Sequence, residues 1–387
     1  MPPPFRRAAP CLHLRRAAAQ ARVRYTSLVT RSPPIAGHSV RSGGACGFLL
    51  RPLPAPLCAR LPWRHGAGEA VQPLTEETVM PNWCANRLRI SGNSSNIERV
   101  RTLFAGDGSP AYARATAEGI QLFLAGCAGV LRPVTDMQYT AYPALIVHSG
   151  SDTPENRAFT QWLAYLKGGA ELTEDNCRVL HALWLACSIS SWPWEMLSDE
   201  QHAVITALWV QKAGDWRAAF GSDSLPEAWN RLCREDYEPA EAPPFDMLQL
   251  VPPRLDVEIN GYNGRLLEGI PDGFSETTER CGTKWPHAHG LELENETSTT
   301  FDADFDTPWS PPDAAVLEAL SHRYGVTIEH WYTESGCNYC GYAAYSSGVQ
   351  TEACCDSLEW SEEEDEYGYR DVTGPDWIID NVASYGG

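Results

Sequence analysis

The chain has 387 residues, with 30 Lys plus Arg against 50 Asp plus Glu, for a formal net charge of −20. That balance works against direct nucleic-acid binding, which needs cations to neutralise phosphates. The best apolar stretch, Gly119–Leu131, is shorter than the ~20 residues a membrane-spanning helix needs, so no association with a membrane is expected.

The charge is not evenly spread. Residues 1–79 hold eleven Arg, no Lys and three acids (Glu69, Glu76, Glu77), a net of +8, whereas residues 80–387 carry −28. Forty of the first 79 residues are Ala, Pro, Gly or Arg, and no helical or strand period runs through them. Two readings fit: an Arg-rich, acid-poor transit peptide, or a start codon assigned too early, with Met80 as the real start. The Pro-rich run sustains no amphipathic helix, which favours the second. Either way, residues 1–79 are expected to be a disordered leader outside the fold. Ten Cys are scattered through the remainder, in apparent helices (Cys177, Cys187, Cys233) as well as turns. This usage suggests a reducing, cytoplasmic setting rather than a disulfide scaffold.

From Asn86 to Ser91 the chain alternates as a strand, and Gly92-Asn93 turns it. Ser94 or Ser95 can cap a helix with Ile97, Val100, Leu103 and Phe104 on one face, so residues 80–108 read as a β-α unit. Residues 109–245 read as a helical block. Thr153 caps one helix with Pro154 in its first turn, Thr173 starts another, and Ser198 with Gln201 forms a capping-box pattern.

Strand signals follow. Leu255, Val257 and Ile259 alternate with Asp256, Glu258 and Asn260. Leu291 and Leu293 alternate with Glu292 and Glu294, and Phe301, Ala303 and Phe305 with Asp302 and Asp304. This pattern predicts a one-sided antiparallel sheet with an open carboxylate face. Ser310 is expected to cap a helix opened by Pro311 and Pro312, with Asp313 in its first turn, Val316, Leu317, Leu320 and Tyr324 inward, and Gly325 ending it. Val326–Thr333 and Tyr339–Tyr345 read as further strands. Residues 246–355 thus complete the sheet domain, and residues 356–387 read as a solvated acidic tail. With the helical block removed, the order is βαββαβ. The predicted class is α+β: a ferredoxin-like antiparallel sheet with a large all-helical insertion after the first β-α unit.

Four segments carry a family resemblance: Met80-Pro81-Asn82-Trp83-Cys84-Ala85-Asn86, Gly282-Thr283-Lys284-Trp285, Phe305-Asp306-Thr307-Pro308-Trp309-Ser310-Pro311-Pro312, and Tyr332-Thr333-Glu334-Ser335-Gly336 followed by Gly341. In this order they resemble the Api-ninety-two-like family of uncharacterised proteins. The resemblance spans Met80 to about Val349, supports Met80 as the start, and implies a ferredoxin-like domain and a setting on phages, plasmids or integrated elements. It implies no reaction. Cys337 and Cys340 stand where apolar residues are common in the family.

Ferredoxin-like geometry predicts two clusters. Asn82 and Trp83 should approach Glu334–Gly336, and at the opposite edge Lys284 and Trp285 should approach Asp306 and Trp309. Each is either a binding surface built on Trp anchors or a structural corner in which Trp packs, Lys284 pairs with Asp306 and Ser310 caps a helix. Cys337 and Cys340 with Cys354 and Cys355 are the candidate zinc ligands, but adjacent strand residues face opposite ways. Cys281, His287 and His289 form a looser set. If Met80 is removed, the Pro81 amine could serve as a base, though no partner acid or Arg stands at a diagnostic spacing. No cofactor is implied, because no phosphate loop, Rossmann fingerprint or nucleophile elbow is visible. His181, His202 and His322 lie in helices as surface or core residues.

These observations favour a non-enzymatic accessory protein that binds a protein partner, with a basic partner suiting the acidic surface. An enzyme or zinc-supported site at a sheet edge, and an acidic decoy imitating DNA, are the alternatives.

Overall fold

The computed structural model describes residues 82–387 apart from 143–144, 146–148 and 235–236. The expected leader, the start at Met80 and the Pro81 amine lie outside the described residues.

Strand β1 (Trp83–Ser91) is central in a six-stranded antiparallel sheet with β2 (His289–Glu294), β3 (Thr300–Pro308), β4 (Thr327–Glu334), β5 (Tyr339–Ser346) and β6 (Val349–Asp356), ordered β2-β3-β1-β4-β5-β6. The first four strands have the ferredoxin-like arrangement, and β5 and β6 extend it. Ile90 sits opposite Phe301 on one side and Ile328 on the other. Period-two alternation turns Leu88 and Ile90 onto the face that carries helices α1 (Ser94–Ala105) and α9 (Ala314–Tyr324), where they bury with Val100, Phe104, Leu317 and Leu320.

Both helices are capped by a residue other than the one expected. Asn93, rather than Ser94 or Ser95, accepts the N–H of Asn96 at 2.9 Å, and α1 ends at Gly106, whose left-handed φ of 76° closes the turn. Asp313, rather than Ser310, caps α9 by accepting the Ala315 N–H at 2.9 Å. The two prolines extend the chain before the helix instead of opening it, because each disfavours helical geometry in its predecessor.

Between α1 and β2 lies the helical part, built around α2 (Ala111–Cys127) with α3 (Pro154–Lys167), α4 (Glu174–Ala186), α5 (Asp199–Phe220) and α6 (Leu225–Cys233). Helix α2 is nearly all buried, and its glycines admit neighbours: a Cβ at Gly126 would lie 2.5 Å from the Phe159 ring. The Thr153 and Thr173 caps and the Ser198–Gln201 box form as read.

Two segments depart from the sequence pattern. Leu255–Asn260 is a helix, α7, not a strand. Its alternation is overridden because Leu255 and Ile259, four apart, both pack into the α2 core, and only a helix brings them to one face. Helix α8 (Gly273–Arg280) follows it. The acidic tail is also structured: β7 (Glu359–Glu364) and β8 (Arg370–Gly374) pair as a hairpin, followed by a short helix α10 (Asp376–Ile379). Trp360, Val372, Leu358 and Ile378 gather on Trp331 and Cys340, apolar anchors interspersed among the acids. No described helix is long and apolar enough to cross a membrane.

Candidate functional site

The two expected clusters are one. Antiparallel pairing brings the starts of β1 and β2 and the ends of β3 and β4 to the same end of the sheet, so the expectation of opposite edges is corrected. Trp83 pairs with Pro308, and the Trp83 ring lies 6.2 Å from Trp285 and 4.9 Å from His289. Lys284 holds its ammonium 4.2 Å from both the Trp285 and the Trp309 rings, so it faces indoles rather than pairing with Asp306. Phe274 packs edge-on to Trp309 at 6.2 Å.

Trp309 is 47% exposed and has a left-handed φ of 72°, a costly conformation for a bulky residue. Its N–H donates to the Asn82 carbonyl at 2.8 Å, and its own carbonyl accepts the Tyr339 hydroxyl at 3.0 Å. Ser310 donates to the Gly282 carbonyl, which ties the Trp309 turn to the Lys284 segment. Glu334 is buried and closes the β4–β5 turn by accepting the Gly336 and Cys337 N–H groups at 2.8 and 2.6 Å. A Cβ at Gly336 would come within 2.7 Å of Asn82 Nδ2, so Asn82 does approach this turn. Burial raises the Asp306 carboxyl and lowers Lys284 and His289; it pushes His287 down to about 4, with His289 adding repulsion. Both imidazoles are therefore neutral at pH 7. His289 Nε2 is buried with no hydrogen-bond partner among the described residues.

A cleft of about 370 Å³ opens beside this cluster, a size that suits a small organic molecule. Tyr112, Thr116 and Ile120 of α2 form one wall, Asp215 and Trp216 of α5 a second, and Glu258, Tyr262 and Thr277 a third. The Lys284–His287 segment closes the side next to the sheet. Burial raises the Glu258 carboxyl to about 7, Asp246 and Glu276 add repulsion, and Thr116 Oγ1 is its hydrogen-bond donor at 3.5 Å. Tyr112 donates to Asp246 at 2.7 Å, and Asp246 is itself raised by burial.

Residues 109–285 match the family described as "Protein of unknown function (DUF1281)", and residues 288–373 match the "Ferredoxin-like domain in Api92-like protein". A crystal structure of protein api92 from Yersinia pseudotuberculosis superposes with a TM-score of 0.65 at 31% identity, covering 71% of this chain and 97% of that one. The chain belongs to the DUF1281 (Api92-like) family. Two uncharacterized Escherichia coli (strain K12) proteins are also similar. YubB is 42% identical over 144 residues, 37% of this chain and 99% of YubB. YubA is 44% identical over 155 residues, 40% of this chain and 92% of YubA. In this DUF1281 protein the boundary between the two matched regions falls at the Lys284–His287 segment, so the junction itself is a wall of the cleft.

The open carboxylate face does not exist as expected. Asp302 and Asp304 are buried, each gripped by two hydrogen bonds from the Arg directly across the strand: Arg89 at 2.9 and 3.1 Å, Arg87 at 2.7 and 2.6 Å. Glu294 joins Arg87 at 3.1 Å. The charges pair because strand register places them opposite one another.

Cys337 lies exposed in the β4–β5 turn, and Cys340, on β5, is buried with its thiol directed to the Asp356 carbonyl. Cys354 pairs with Tyr342 and Cys355 with Gly341 along β6. Cys281 is buried in the sheet core, while the His287 and His289 rings lie tilted at 38° with centroids 4.3 Å apart. Among the described residues no three His, Cys, Asp or Glu side chains gather as a metal site. His181 bonds the buried Glu118 at 2.8 Å and His202 the Trp194 carbonyl at 2.8 Å, both within the helical core and its rim.

Sequence reasoning missed the cleft residues Tyr112, Asp215, Glu258 and Tyr262. Glu258 offered the one usable signal, a carboxylate inside a short apolar run, but reading that run as a strand placed it on an open face.

Proposed function

We propose that this DUF1281 protein is a non-enzymatic accessory module that captures a protein partner on the tryptophan end of its sheet. The observation that carries the reading is the convergence of Trp83, Trp285 and Trp309, from three separate segments, around Lys284 and His289. Aromatic side chains held rigid at a partly exposed surface are the usual energetic centres of protein interfaces. The strained backbone at Trp309 supports it further, since the fold sustains that cost to present a half-exposed indole. A basic partner suits the net charge of −28 on residues 80–387. The family resemblance adds a phage or plasmid setting, and the reducing-compartment cysteine usage adds a cytoplasmic one.

The test compares full-chain baits, parent and Trp285→Ala/Trp309→Ala, by quantitative mass spectrometry of proteins co-purified from the host. A stoichiometric basic protein should accompany the parent and disappear from the variant, with circular dichroism unchanged. Identical co-purifying proteins on both baits would overturn the reading. The decoy alternative fits less well, because Arg87 and Arg89 neutralise the strand carboxylates it would use.

A further inference from the structure

The cleft carries a second site, which adjoins the tryptophan cluster and shares Trp285 with it but does not include Trp309. Its lining is rich in aromatic and apolar side chains: Tyr112, Trp216, Tyr262 and Trp285, with Ile120 and Leu248. Glu258 is the carboxylate on its third wall, with Thr116 Oγ1 at 3.5 Å. The cations nearby are committed elsewhere. Arg254 bonds Asp256 at 2.7 Å, and Arg280 bonds Glu171 at 2.6 Å and Glu276 at 3.3 Å. Lys212 pairs with Asp215 and donates to the Gly264 carbonyl, and Lys284 lies against its two indoles. The site therefore offers a low-dielectric aromatic slot with a carboxyl group in its wall that no cation pairs among the described residues, the inverse of a small molecule bearing one positive charge on a flat apolar body.

We propose that this cleft binds a small organic cation, a primary amine or amidine attached to an aromatic body, whose charge pairs with Glu258 and whose ring lies among Tyr112, Trp216, Tyr262 and Trp285. The groups facing Glu258 agree in sign. Asp246, behind Tyr112, and Glu276, on α8, both add negative potential, and Asp215 on α5 is already paired with Lys212. On the sheet side Lys284 stays against the indoles and His287 is neutral, so neither competes for Glu258. Burial holds part of the Glu258 population protonated at pH 7, so an arriving cation should expel a proton.

The experiment is isothermal titration of the full chain with tryptamine and with its neutral counterpart tryptophol, in buffers of different ionisation enthalpy. Tryptamine should bind at one site at least about tenfold more tightly than tryptophol, with proton release near pH 7. Glu258→Gln should erase the preference and the proton release while leaving tryptophol binding in place. Ala113→Trp, which fills the slot from α2, should abolish both ligands. The proposal is overturned if tryptamine and tryptophol bind alike, if indole-3-acetate binds better than either, or if Glu258→Gln keeps the preference. Trp309 lies outside the cleft lining, so Trp309→Ala leaves all four rings and Glu258 in place. A partner still captured by that variant overturns only the partner reading, whereas an amine preference missing from the parent overturns only this one.

Discussion

In the sheet half of the molecule, Asp302 and Asp304 are buried, and each meets a guanidinium from the neighbouring strand through two hydrogen bonds. In the helical half, Glu258 has the Thr116 hydroxyl at 3.5 Å and two further acids for company. Burial raises the Asp302 carboxyl, but Arg89 and Asn295 outweigh it and hold the group below the usual range; nothing comparable offsets burial at Glu258, which rises to about 7. A buried charge answered inside the chain is architecture. One left unanswered beside a cavity is where chemistry from outside the chain is to be sought.

The largest test of this contrast is Arg87→Ala. It strands Asp304 without its cation and should lower unfolding free energy by about 3–4 kcal/mol in equilibrium denaturation, with Arg87→Met/Asp304→Leu recovering most of the loss. A single-variant cost under about 1 kcal/mol would place the pair with ordinary surface bridges and remove the contrast.

Next comes the pH dependence at Glu258. Its folded pKa lies above the unfolded value, so the native state keeps a proton that the unfolded chain gives up. Stability should fall as pH rises from about 4.5 to about 7 and level off beyond. Glu258→Gln should flatten that decline by about 2 kcal/mol between pH 5 and pH 8. Parallel pH profiles for parent and variant would mean that Glu258 is solvated like any surface acid.

The smallest effect sharpens a local assignment. Asp313→Ala should cost about 1 kcal/mol through the lost cap of α9, and Ser310→Ala should cost less. The reverse ranking in thermal melts would return the cap to Ser310.

Much of the ferredoxin-like half was legible in the residues. Leu88 and Ile90, Phe301 to Phe305, and Val316 to Tyr324 carry unambiguous periods, and their element order admits few topologies. The helix end set by Gly325 was equally plain, because few other residues adopt a left-handed turn so cheaply. The site was half legible. Trp83, Lys284, Trp285 and Trp309 stood out as residues, but their meeting as one cluster depends on strand direction, since β1 and β2 both start at the end of the sheet where β3 and β4 finish.

Outside Leu255–Asn260, sequence by itself determined which faces of strands and helices carry the apolar core, because apolar spacing is a local property of the chain. It also set the class of fold and the acid excess. Tertiary structure alone decided which charges are answered. Asp302 and Glu258 both alternate with apolar neighbours in their own segments, and whether a carboxylate meets an arginine or an open cleft depends on residues far away in the chain. Coulomb interactions act through space, and a one-dimensional pattern holds no record of those distances.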